Sequence, residues 1–142
     1  MPKILFVDDD RYFANLYLEA LRAELKEFDV LVCYDAVKAI EHIKSDLEIT
    51  AAILDVMMPP PAGAELETCD GNSTGVWILE QCLAEISDRR IAILLFTNQG
   101  LKYVKDEVSF LQVDPALWDV RSKNTILATD LPHTVRKMIQ SR

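Results

Sequence analysis

Residues 51–59 read Ala51-Ala52-Ile53-Leu54-Asp55-Val56-Met57-Met58-Pro59. An unbroken apolar run leads into one carboxylate, and a proline closes the stretch. Continuous rather than alternating apolar residues mark a strand buried on both faces, as in a parallel sheet covered by helices. This stretch therefore predicts an interior strand carrying Asp55 at its C-terminal end. Similar runs occur at Ile4-Leu5-Phe6-Val7, at Val30-Leu31-Val32-Cys33 and over residues 91–96. A weaker run, Leu117-Trp118-Asp119-Val120, is interrupted by Asp119 and fits an edge strand.

Helical periods separate the runs. Phe13, Leu16, Tyr17, Ala20, Leu21 and Leu25 fall three and four apart and predict one apolar helix face. Asp35 can cap a second helix with Val37, Ile40 and Ile43 inward. Val76, Leu79, Leu83 and Ile86 predict a third, and Leu101, Val104 and Val108 a shorter fourth. Asp130 and Pro132 open a fifth, with Leu131, Val135, Met138 and Ile139 facing the core. Strand followed by helix, five times over, predicts one doubly wound α/β domain spanning residues 1–142. The segment 59–74, PPPAGAELETCDGNST, breaks this rhythm and reads as an extended loop. Loops of that length in compact domains are usually functional or mobile.

Composition narrows the function. A chain of 142 residues, half of them apolar, can bury a sizeable core. A formal net charge of -8 argues against nonspecific nucleic-acid binding, which needs a basic face. No apolar run reaches membrane-spanning length, so no membrane partner is expected. The N-terminus shows no signal-peptide pattern, and Cys33, Cys69 and Cys82 have no paired spacing. A reducing, cytoplasmic location is the expectation.

The strand ends carry the chemistry. The first ends in Asp8, Asp9 and Asp10, the third in Asp55, and the fourth in Thr97 followed by Asn98; Ser122 and Lys123 follow the fifth. In an open parallel sheet these ends share one edge, where ligands bind. Carboxylates crowded together repel and require a cation or protons. Oxygen ligands suit Mg²⁺, which often bridges to a phosphate. A carboxylate can attack phosphorus covalently, while a lysine and a hydroxyl neutralise the phosphoryl oxygens. The competing explanation is local, since Asp9 or Asp10 could merely cap the helix beginning near Arg11.

ILFVDDD before a helix, AAILDVMMP, LLFT and RSK together resemble the receiver domains of response regulators, the CheY-like superfamily of two-component signalling. The resemblance spans essentially the whole chain, and DVMMP is its most specific piece. It implies a five-stranded parallel flavodoxin-like sheet in strand order 2-1-3-4-5 with five helices. It implies that Asp55 accepts the phosphoryl group, and that Asp8, Asp9, Asp55 and the Met57 backbone carbonyl hold Mg²⁺ or Mn²⁺. Thr97 would be the switch hydroxyl and Lys123 the phosphoryl-contacting ammonium. The implied donor is a histidine kinase or a histidine phosphotransfer protein, and the output a downstream protein target. His42 and His133 have no role in that scheme and are expected at the surface. The protein would catalyse transfer to itself and would not be a turnover enzyme. A homodimer through the last helices is a further implication, to which Lys102, Tyr103, Lys105, Asp106 and Glu107 could contribute, although such mixed-charge faces are ordinarily solvated.

Three features depart from the family pattern. The loop after Pro59 is about a dozen residues longer than usual, and Thr74-Gly75 replaces the acidic-glycine pair that opens the third helix. That loop would hang over the acceptor site, where it could gate the donor, bind a partner or be a tolerated insertion. Val120 replaces an aromatic residue, which is missing or displaced to Trp118. Asn124 replaces a proline, and Asn98 a small residue beside the phosphoryl pocket. These departures keep a second reading open, a receiver-like protein-binding module that works without phosphorylation. A hydrolase would place a second acid two positions after the nucleophile, where Met57 stands.

Overall fold

The computed structural model describes residues 1–98 and 100–142. Five strands, β1 (Lys3–Val7), β2 (Asp29–Cys33), β3 (Ile49–Asp55), β4 (Ala92–Thr97) and β5 (Trp118–Ser122), form one parallel sheet in the order β2-β1-β3-β4-β5. The expected strand order is thus observed. The helices are α1 (Arg11–Glu24), α2 (Ala36–Ser45), α3 (Thr74–Gln81), α4 (Leu83–Arg89), α5 (Leu101–Ser109) and α6 (Leu131–Ser141).

The interior strands are apolar throughout because each face has its own cover. Leu5, Val7, Ala52, Leu54, Ile93, Leu95 and Val120 pack with α2 to α5 on one side. Ile4, Phe6, Ala51, Ile53, Leu94 and Phe96 pack with α1 and α6 on the other. The period of two sends successive residues to opposite faces, so both sets must be apolar. The edge strands are less covered: Leu31 and Val32 of β2 are half-buried, as is Trp118 of β5. No helix among the described residues is long and apolar enough to cross a membrane.

Three expectations are corrected. The described residues form six α-helices where five were expected, because the apolar period from Val76 to Ile86 is interrupted at Cys82. Its N–H donates to Leu79 three residues back, at 3.1 Å, and its φ of -114° leaves the helical region. The chain then restarts as α4, with Cys82 O accepting from Ile86 N. On α1, Ala14 and Leu18 are buried with Tyr17 and Leu21, whereas Leu16 is exposed. On α2, Ala36 and Ala39 are buried with Ile43, and Val37 is exposed. In both helices the small alanines permit close approach to the sheet, rotating the buried face away from the larger residues that the period singled out.

The segment 59–73 contains no helix or strand, and α3 already begins at Thr74, the last residue of the expected loop. It is nonetheless tightly closed. Thr68 is fully buried, its hydroxyl donates to Ala64 O at 2.7 Å, and it accepts from Gly71 N at 3.2 Å. Cys69, Asp70 and Gly71 all take positive φ. The turn brings Gly71 O onto Met58 N at 3.2 Å, and a Cβ on Gly71 would come within 2.6 Å of Met58 O. The three cysteines are free, Cys33 and Cys82 buried and Cys69 exposed. His133 is exposed as expected, while His42 is half-buried on α2.

Candidate functional site

Strand register assembles the site. Val7 pairs with Leu54 across β1 and β3, so Asp8 and Asp55 leave the sheet side by side. Asp55 pairs with Phe96, which sets Thr97 one residue beyond it on β4. Thr97 pairs with Ser122, and Thr97 O accepts from Lys123 N at 2.9 Å. Residues from four strand ends thereby meet at the C-terminal edge of the sheet.

The oxygens of Asp8, Asp9 and Asp55 lie within 4.8 Å of one another. Asp8 and Asp55 are buried and Asp9 is exposed. Lys123 Nζ stands 3.0 Å from Asp8 Oδ2 and 3.1 Å from Asp55 Oδ1. It also lies 4.4 Å from the centre of the Phe13 ring. One ammonium against three carboxylates, two of them buried, leaves excess negative charge in the site. The Asp55 carboxyl is accordingly pushed up to about 7, by burial first and by Asp8 repulsion second, with Lys123 opposing. Asp9 is also raised, by burial and then by Asp8. Burial works to lower Lys123, but the two carboxylates outweigh it and hold its ammonium above the ordinary range.

Capping divides the first aspartates. Asp10, not Asp9, caps α1, its carboxylate accepting from Phe13 N at 3.0 Å. Asp8 accepts from Asp10 N at 2.9 Å, which orients its other oxygen toward Lys123. Asp9 takes no part in the cap and is left to the cluster. A divalent cation suits this donor set: three convergent carboxylates, one reachable from solvent, carry charge that Lys123 only partly offsets. Met57 lies just past β3, its side chain exposed. Asn98 follows Thr97 at an exposed position, and Thr97 itself is buried.

Gly75 belongs to the site although the sequence marked it only as a replacement for a family pair. Its N–H donates to Val56 O at 3.0 Å, and a Cβ there would come within 2.4 Å of Asp55 O. Thr74 Oγ1 donates to Met58 O at 2.7 Å. The start of α3 thus clamps the backbone from Asp55 to Met58. Phe13 was legible only as a core residue; its place under Lys123 depends on the α1 cap and has no signature in spacing.

No family model matches the chain. Among solved structures, a CheY-like response regulator receiver domain from Methanospirillum hungatei JF-1 superposes with a TM-score of 0.71, at 16% identity over 99% of this chain and 94% of that one. The chain has the response regulator receiver fold. The receiver domain of a sensor histidine kinase from Pseudomonas aeruginosa PAO1, with a magnesium ion coordinated in its active-site cleft, matches at a TM-score of 0.70 and 18% identity, over 99% and 98% of the two chains. In sequence, the transcriptional regulatory protein CpxR of Escherichia coli K12 is 38% identical over 65 residues, which is 46% of this chain and 26% of that protein. The matched region thus spans about a quarter of that relative's length. In this receiver fold, the cluster of Asp8, Asp9 and Asp55 lies at the sheet edge where ligands bind in open α/β sheets.

Proposed function

We propose that this chain is the phosphoacceptor of a two-component phosphorelay. Asp55 takes the phosphoryl group from a phosphohistidine on a histidine kinase or histidine phosphotransfer protein. The observation that carries the reading is the buried Asp55 carboxylate, bridged with Asp8 by one lysine and flanked by the reachable Asp9. Asp8, Asp9, Asp55 and the Met57 carbonyl would hold Mg²⁺ or Mn²⁺, which would neutralise phosphoryl oxygens and lower the proton affinity of Asp55. An Asp55 oxygen attacks phosphorus, the P–N bond of the donor breaks, and its electron pair leaves with the imidazole. Lys123 and the Thr97 hydroxyl meet the phosphoryl oxygens. Transfer is to the protein's own side chain, so the chain is not a turnover enzyme.

The output is read by a downstream protein target, in the cytoplasm. Val120 is aliphatic and buried, so β5 offers no mobile aromatic at that position. Trp118 packs half-buried against the core instead. The conformational readout therefore falls to Thr97 and to α5, which follows it.

Intact-mass spectrometry after incubation with acetyl phosphate and Mg²⁺ tests the reading. One phosphoryl adduct in the wild type, absent from Asp55→Asn, is the expected result. Undiminished labelling of Asp55→Asn would refute the assignment. A partner affinity unmoved by phosphodonor and by Asp55 substitution would favour a constitutive binding module.

A further inference from the structure

We propose that Phe13 is a positioning residue for phosphoryl transfer, holding the Lys123 ammonium through the face of its ring. The inference rests on the reading of Lys123 as the group that meets the phosphoryl oxygens. Among the described residues the ammonium lies against Asp8 at 3.0 Å, Asp55 at 3.1 Å and the Phe13 ring centre at 4.4 Å. The two carboxylates cannot by themselves fix it during the reaction. Asp55 becomes an acyl phosphate and loses the charge that paired with Nζ, and a metal ion competes for Asp8. Of these three contacts among the described residues, the ring face is the one that neither event removes, and its attraction for a cation is strengthened where water is excluded. The Lys123 side chain is only 8% exposed.

The ring is itself fixed from behind. Phe13 packs on Tyr17 with centroids 4.7 Å apart and on Phe96 at 6.0 Å. Tyr17 meets Phe96 edge-on at 5.1 Å, and its hydroxyl donates to Ile126 O at 2.8 Å. That carbonyl belongs to the segment leading away from Lys123. Two aromatic residues of α1, Phe13 and Tyr17, packed on Phe96 of β4, thus hold both the ammonium and the backbone that delivers it. Asn124 leaves this segment without the local stiffness of a proline, so support from α1 has a definite task here.

The test compares wild type, Phe13→Leu, Phe13→Tyr and Asp55→Asn in the full chain. The first readout is the rate of adduct formation with acetyl phosphate at saturating Mg²⁺, separated into maximal rate and half-saturating concentration. Phe13→Leu is expected to lower the maximal rate by about threefold to thirtyfold, the span of a partly desolvated cation–π contact, with little change in half-saturation. Phe13→Tyr keeps the ring face and should restore the rate. A folded Phe13→Leu variant reacting at the wild-type rate, or a Phe13→Tyr variant as slow as Phe13→Leu, would overturn the proposal. The second readout needs no phosphoryl chemistry. The Lys123 Hε resonances should be shifted upfield by the ring in wild type and Phe13→Tyr, and should return to ordinary values in Phe13→Leu. Ordinary values in wild type would also overturn it. If wild type takes no phosphoryl group, the phosphoacceptor reading fails, and the ring-current readout still decides whether Phe13 holds the ammonium.

Discussion

A Cβ on Gly75 would come within 2.4 Å of the Asp55 backbone carbonyl, so the first turn of α3 presses directly on the residue that bears the central carboxylate. Backbone cannot move aside as a flexible side chain can. Gly75→Ala is therefore expected to displace either α3 or the end of β3, at a cost of about 1–3 kcal/mol from overpacking. Because Asp55, Val56 and Met58 are all contacted by residues 74 and 75, the site should suffer more than the fold. Urea unfolding should show a folded protein of reduced stability, and acetyl phosphate labelling should fall at least about tenfold, the cost of misplacing reacting groups by less than 1 Å. Wild-type labelling in this variant would refute the coupling.

A second tie runs from the long segment to the helix beyond Thr97. Ser73 Oγ donates to Glu107 Oε1 at 2.8 Å and lies 3.4 Å from Tyr103 OH, with Ser73 almost fully buried. Ser73→Ala should cost roughly 1.5–3 kcal/mol, the range for a hydrogen bond to a charged partner. More tellingly, amide exchange should quicken both at Gly71 and along α5, since the Ser73 hydroxyl ties the two together. Faster exchange confined to the 59–73 segment would show that α5 does not feel it.

The sheet and its site were legible for different reasons. Apolar runs ending in Asp8, Asp55 and Thr97 follow from burial on both faces of the interior strands of a parallel sheet, whereas Lys123 follows the half-covered edge strand β5, where that constraint is weak. Strand order and residue roles came from resemblance, not from periodicity. The period alone does not settle the inward faces of α1 and α2, because Leu16 and Val37 fit it as well as Ala14 and Ala36 do; close packing against the sheet, invisible in sequence, chose the alanines. The break at Cys82 escaped for the same reason, since an apolar period does not reveal one tightened turn. The 59–73 segment has a loop's composition, yet a buried threonine and three successive left-handed residues close it.

The pH dependence follows from Asp55, whose carboxyl rises from an ordinary 3.8 to about 7 through burial and then Asp8 repulsion. Between those values the folded protein binds a proton that the unfolded chain has released. Stability of the metal-free protein should therefore fall as pH rises from about 4 to about 7 and level off above that. The groups facing Asp55 do not reverse this sign. Asp9 is raised as well, and the raised Lys123 titrates in the basic range. The depressed carboxyls of Asp46, Glu48, Glu27 and Asp114 exert their opposite effect at more acidic pH. Urea midpoints measured in a chelator should decline across the window, and Asp55→Asn should flatten the decline. Mg²⁺ binds the ionised form, so its apparent affinity should climb over the same range. A midpoint that rises with pH in the chelator would contradict the Asp55 assignment.

Asp8 and Asp9 are adjacent, but the structure gives them separable tasks. Asp9 is exposed and does not cap α1, so its carboxylate is available to a metal without holding the fold. Asp9→Asn should weaken Mg²⁺ by at least about tenfold through loss of one charged ligand, while stability shifts by no more than about 0.5 kcal/mol. Asp8 is buried, receives Asp10 N–H and pairs with Lys123. Asp8→Asn should weaken the metal similarly, but it also removes the repulsion that raises Asp55. In that variant the decline of stability with pH should shift to lower pH, a change that Asp9→Asn should produce only weakly because Asp9 is the least of the influences on Asp55. Mg²⁺ titration by calorimetry beside urea unfolding at two pH values separates the cases. Equal behaviour of the two variants in both measurements would mean that the pair acts as one undivided charge, and that the orientation of Asp8 by the Asp10 amide has no consequence.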